Sequence, residues 1–174
     1  MKSLILFLII IQIPMIIFEF NTESDIRNWQ IVDDEVMGGR SNGRFYLHKD
    51  GYGVFEGMIS LENNGGFSSV RYRFDTKNIK KYNKIVLRLK GDGKAYQFRL
   101  KTDMYDSFSY IYPIQTSGES ETLEIPLSDM YPSFRGRKLE LPNYNGEKLQ
   151  EIALLIGNKK EEQFHLEMMS ITLE

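Results

Sequence analysis

KIVLRLKGDGKAYQFRLK, Lys84 to Lys101, sets two alternating apolar runs on either side of Asp92-Gly93. An Asp-Gly pair supplies the positive-φ residues that a two-residue type I′ turn requires. Pairing outward from Gly91 and Lys94 places Leu89 opposite Tyr96, Leu87 opposite Phe98 and Ile85 opposite Leu100, all apolar. The other face receives Lys84, Val86, Arg88 and Lys90 across from Lys101, Arg99, Gln97 and Ala95. A slip of one residue would mix the faces, so turn chemistry and alternation select one register. The segment predicts an antiparallel hairpin with one buried face.

The same punctuation continues in both directions. Before it, YGVFEGMISLENNGGFSSVRYRF suggests a second hairpin, with Phe55, Gly57 and Ile59 on one face before the turn and Val70, Tyr72 and Phe74 after it. Arg71 and Arg73 then point away from the aromatic face. After it, Ile152 to Ile156 is apolar on both faces, as in a central strand covered on each side. Phe164, Leu166 and Met168 alternate with His165 and Glu167. Strands are predicted at 16–20, 29–32, 43–48, 52–60, 67–74, 84–91, 95–102, 107–114, 121–126, 151–157 and 163–173. Helix is confined to short turns at 24–29, 126–131 and 146–151. This is an all-β sandwich or barrel.

With 174 residues, 41% hydrophobic and 26% charged, the chain fits one soluble domain. A net charge of -2 offers no global positive field, so nucleic acid is not expected as a partner. Cysteine is absent, which removes disulfides, thiolate nucleophiles and cysteine metal ligands together. The N-terminus, MKSLILFLIIIQIPMIIFEF, has one Lys and then an apolar run from Leu4 to Phe18 broken only by Gln12 and Pro14. It resembles the basic and apolar parts of a signal peptide and is shorter than the roughly 20 residues of a spanning helix. Residues 1–15 are therefore read as an export segment and 16–174 as a single domain, exported or membrane-associated. The alternative is a buried N-terminal strand extension on a cytoplasmic protein.

Catalytic chemistry is thinly provided. His48 and His165 are the two histidines, far apart in sequence, and no phosphate loop, dinucleotide fingerprint or metalloprotease motif occurs. Asp33, Asp34 and Glu35, and again Asp103 and Asp106, bring carboxylates close in sequence. Neighbours in an extended segment point in opposite directions, so a solvated acidic loop is the simpler reading. Arg71, Arg73, Arg88, Lys90, Arg99 and Lys101 read most simply as a solvated sheet face balanced by Glu and Asp of adjacent strands; if their strands are neighbours they form a cationic stripe instead, and a concave face there would hold a polar ligand. The glycines of EVMGGRSNG and ENNGGF read as backbone devices, and Met37 as a flexible apolar plug or an adaptable contact. No cofactor or metal is called for.

NWQIVDDEVMGGRSNG, GVFEGMISLENNGGFSSVR, LRLKGDGKAYQFRLK, EIPLSDMYPSFRGRKL and EIALLIGNKKEEQFHLEMMSI, in this order, resemble the complex I intermediate-associated protein 30 family from Ile16 onward. The resemblance implies a galactose-binding-like jelly-roll sandwich and a non-enzymatic assembly-factor role with a protein partner, a subunit of a membrane complex. On that reading the binding surface comprises Asp34, Met37, Gly38, Gly39 and Arg40, then Asn64, Gly65, Gly66 and Phe67, with Arg71, Arg99, Arg135 and Arg137. Glycine N–H groups and charged side chains make its contacts, and Met37 and Phe67 are apolar anchors. Asp34→Ala and Arg40→Ala are then expected to weaken binding and spare the fold. The alternative is a carbohydrate-binding module with Tyr105, Phe108, Tyr110 and Tyr112 as stacking rings; a hydrolase using acidic residues is a third.

Overall fold

The computed structural model describes residues 13–34 and 38–174. Within them two antiparallel sheets enclose one core, the all-β sandwich expected from the alternation. One sheet runs β3 (Asn42–Leu47), β4 (Gly53–Ile59), β13 (Glu162–Leu173), β6 (Lys84–Lys90) and β9 (Ser120–Pro126), with β1 (Met15–Glu19) also paired to β13. The other runs β11 (Arg137–Lys138), β10 (Tyr131–Phe134), β8 (Ser109–Gln115), β7 (Ala95–Lys101), β12 (Lys148–Ile156), β5 (Ser68–Asn78) and β2 (Trp29–Asp33).

Neither predicted hairpin forms. β6 lies between β13 and β9 in the six-stranded sheet, whereas β7 lies between β12 and β8 in the seven-stranded one. Ile85, Leu87 and Leu89 are buried, and so are Tyr96, Phe98 and Leu100, but the two rows enter the core from opposite sheets. Asp92, expected as a turn residue, anchors the crossing. Its carboxylate accepts hydrogen bonds from Lys94 Nζ (2.8 Å), the Tyr96 hydroxyl (3.0 Å) and the His165 backbone N–H on β13 (3.0 Å). β4 and β5 are likewise split between sheets, joined through the turn at Glu62–Asn64.

β12 sits centrally in its sheet, as its doubly apolar pattern predicts: Ile152, Leu154 and Ile156 face the core, while Ala153 and Leu155 are buried on the outer side. β13 alternates as expected until an irregularity between Met168 and Ser170, after which Ile171 and Leu173 are buried. Of the three predicted helical turns, only Leu127–Asp129 is helical, as one 3₁₀ turn. Residues 24–29 form turns leading into β2, and the third is taken up largely by β12, which begins at Lys148. Phe18, Phe20, Phe45 and Tyr72 surround Trp29, which stacks on Tyr72 at 4.9 Å.

Most of the predicted export segment lies outside the described residues. β1 begins inside its last residue, pairing Met15 with Leu173. Among the described residues no helix is long and apolar enough to cross a membrane.

Candidate binding groove

The outer face of the seven-stranded sheet carries a groove of about 500 Å³. Its floor follows from strand register. Arg71 on β5 pairs with Ala153 on β12, which pairs with Arg99 on β7. Directly paired residues share a face, so one row reads Arg71, Ala153, Arg99, with the arginine Cα atoms about 10 Å apart. The next row reads Arg73, Glu151, Lys101, and Leu155 with Gln97 continues the floor on the other side. Ala153 keeps the floor low between the arginines. Gly66 and Phe67 form one wall, and the β10–β11 hairpin with Phe134, Arg135 and Gly136 forms another. Phe134 is 41% exposed, with the Arg135 guanidinium 5.3 Å from its ring centre.

Charge in this groove is poorly balanced. Glu151, 3% exposed, accepts from Arg73 Nε at 2.6 Å. Arg99 donates Nε and one Nη2 hydrogen to Gln97 Oε1, at 3.0 and 2.6 Å. Burial first, and then the charge of Arg71, pull the Arg99 guanidinium down to about 10, and burial lowers Arg71 as well. Both remain cationic at neutral pH. By contrast, a depression of about 620 Å³ on the other sheet is lined by Arg44, Glu56 and His165. There the charges satisfy one another: Arg44 pairs with Glu56, and His165 contacts Glu56 at 2.7 Å and Glu167 at 3.2 Å.

Behind the Phe67 wall lies a buried carboxylate. Asp34 is 0% exposed and accepts from the N–H and hydroxyl of Ser41 (3.0 and 2.5 Å) and from the N–H groups of Gly66 (2.5 Å) and Phe67 (3.2 Å). These bonds tie the two glycine-rich segments together. A side chain at Gly39 or Gly65 would collide with the Asp34 carboxylate, which is why both positions lack one. Burial pushes the Asp34 carboxyl up, but the four hydrogen bonds outweigh it and hold it below its ordinary value of 3.8. A depressed carboxylate contributes stability that is complete above the ordinary value and is lost as pH falls through the folded one. Urea unfolding between pH 5 and pH 2 is therefore expected to show an acid loss that is shallower in Asp34→Asn.

The structure sorts the predicted binding residues into groups. Gly66, Phe67, Arg71, Arg99 and Arg135 share the groove. Asp34 does not offer its carboxylate to a partner, because burial and four donors commit it to the fold; the expectation that Asp34→Ala spares folding is corrected accordingly. Gly38, Gly39 and Arg40 are not part of the groove lining, and Arg40 pairs with Glu62 at 3.0 Å. Asn64 has φ +60°, and with Gly65 it belongs to the turn, not the groove lining. Arg137 is exposed on β11, outside the lining. Met37 lies outside the described residues. Among the stripe residues, Arg88 and Lys90 are on the opposite sheet because β6 and β7 are not neighbours. Tyr110 and Tyr112, proposed as sugar platforms, pack against the core, whereas Tyr105 is 89% exposed. Gln97, Phe134 and the hydroxyls of Ser107, Ser109 and Ser133 were not singled out; the phase of Gln97 with Arg99 on one strand was the available signal.

Residues 18–168 match the family model for Complex I intermediate-associated protein 30. The Drosophila melanogaster protein "Complex I intermediate-associated protein 30, mitochondrial" is 24% identical over 144 residues, covering 70% of this chain and 49% of that one. A Mus musculus protein of the same name is 22% identical over 183 residues, covering 92% and 56%. The chain thus spans about half the length of these curated relatives. Among solved structures, the family 11 carbohydrate-binding module of a Clostridium thermocellum cellulosomal cellulase superposes with a TM-score of 0.65 at 16% identity, covering 90% of this chain and 92% of the module. That likeness establishes the jelly-roll sandwich fold.

Proposed function

The chain belongs to the complex I intermediate-associated protein 30 family, and from that premise we propose that it is a non-catalytic binding module whose outer-face groove holds a segment of a partner protein, a subunit of a complex I assembly intermediate. The observation that carries this reading is the mixed lining of the groove. Phe67, Phe134 and Leu155 offer apolar contact beside Arg71, Arg99 and Arg135. A polypeptide segment presents both kinds of surface, and interface anchors are typically aromatic and arginine side chains. The two histidines do not compose a reaction centre with the groove. His165 faces out from the other sheet between Glu56 and Glu167, and His48 stacks on Tyr52 at 4.4 Å.

A carbohydrate-binding reading draws on the fold of the clostridial module. Stacking rings on the sheet would favour it, and Tyr110 and Tyr112 are turned to the core instead. In either case an apolar N-terminal segment would bring the domain to a membrane, and N-terminal sequencing of the native protein reads whether residues 1–15 are removed.

Affinity isolation of the tagged full chain from native membranes tests the proposal. Complex I subunits are expected with the wild type and are expected to be lost with Phe134→Asp, which charges the exposed rim without touching the core. Identical recoveries from the two proteins, or retardation in a glucan gel with no protein recovered, would overturn it.

A further inference from the structure

Among the described residues the cations of the groove outnumber the anions that reach them. Glu151 lies in the row beside the groove lining, where it holds Arg73 at 2.6 Å and attracts Arg71 without a hydrogen bond to it. Lys101 turns its ammonium to the carbonyls of Asp106 (2.5 Å) and Met104 (3.5 Å). In the next row Arg71 and Arg99 flank Ala153 with no carboxylate between them. Arg71 makes no hydrogen bond or ion pair among the described residues, and Gln97 fixes the plane of Arg99 while leaving its other N–H groups open. Desolvating two like charges side by side is unfavourable, and a surface meant only for solvent would place a carboxylate or a neutral side chain there.

We propose that this groove recognises an acidic peptide segment: a carboxylate bridging Arg71 and Arg99, with an adjacent apolar side chain seated against Phe67 and Phe134. The inference rests on the protein-binding reading and supplies its chemistry. Arginine forks match carboxylates bidentately, and a bound carboxylate removes the repulsion that the empty row carries. A neutral sugar hydroxyl would leave it in place. A nucleic acid backbone needs a basic track longer than one short row, on a chain whose net charge is -2. Arg135, held over Phe134 at the tip of a hairpin, is positioned to add a third cation at the rim.

Fluorescence anisotropy with a labelled hexaglutamate peptide tests this on the full chain. Saturable binding is expected, weakening as salt rises from about 50 to about 300 mM. Hexaglutamine is expected to bind about tenfold more weakly or less, and Arg71→Gln and Arg99→Gln to lose about tenfold or more for hexaglutamate. Both variants are expected to stay folded at the assay temperature, read by their thermal midpoints, so that the loss reports binding. Equal affinity for the two peptides, or variants that bind hexaglutamate like the wild type, would overturn the inference. So would a heparin fragment that binds through these arginines when hexaglutamate does not, because it would assign them to an anionic glycan. Isolation from membranes separates the two proposals. Recovery of complex I subunits by Arg71→Gln/Arg99→Gln would sink acid recognition alone, whereas hexaglutamate binding with no subunits recovered by the wild type would sink the complex I reading alone.

Discussion

Asp34→Ala is expected to remove about 3–5 kcal/mol of stability, a large share of the roughly 5–15 kcal/mol that holds an ordinary domain folded. The carboxylate is 0% exposed and its loss strands the N–H groups of Ser41, Gly66 and Phe67 together. Each buried donor left without an acceptor costs about 1–3 kcal/mol. Water entering the cavity would recover part of that sum, so the estimate stays below a simple addition. The Ser41 hydroxyl, which also accepts from Ser60 N–H at 3.1 Å, would lose its orientation as well. Asp34→Asn keeps the shape but turns an amide NH₂ toward one group of donors, so it should fall between. Urea unfolding followed by the fluorescence of Trp29, the single tryptophan, measures both. A wild-type midpoint for Asp34→Ala would show that the two glycine-rich segments are not tied through this group.

Glu151→Gln should move stability and binding in opposite directions. Glu151 is 3% exposed and holds Arg73 at 2.6 Å in the row beside Arg71. Removing one partner of a buried pair leaves the other charge uncompensated; because Arg73 is partly solvated, the expected loss is about 2–3 kcal/mol, less than for a fully enclosed pair. The same change deletes the carboxylate that attracts Arg71 and competes with an incoming one. Hexaglutamate is therefore expected to bind a few-fold more tightly to the folded variant. Anisotropy at a temperature where the variant is native reads this directly. Weaker binding together with lower stability would mean that Glu151 shapes the groove instead of competing for its arginines.

Much of the architecture was legible because each strand carries its own inward row. Partnership was not. Leu89 and Tyr96 are equally suited to lie side by side in one sheet or to meet across a core, and alternation is identical in the two cases. Asp92-Gly93 favoured a tight hairpin on local grounds, yet bonds from Tyr96 and His165, distant or unpaired in that hairpin, hold Asp92 at a crossing. The cationic stripe suffered the same ambiguity: Arg71 and Arg99 do meet, but through β12, a strand far along the chain, while Arg88 and Lys90 leave with β6. Asp34 was singled out correctly as exceptional and wrongly as exposed. Its sequence neighbours gave an acidic cluster, whereas its donors Gly66 and Phe67 come from another loop that no local pattern connects to it.

The row Arg71, Ala153, Arg99 draws on three distant stretches of chain and exists only when β5, β12 and β7 have all docked in register. A chain arrested with any one of them unplaced has arginines but no clamp. Ligand capture is thus a report on completed folding, and a partner that binds the finished row pulls the folding equilibrium toward it by mass action. An assembly line waiting on this protein would accept mature copies and pass over unfinished ones, with no separate inspector.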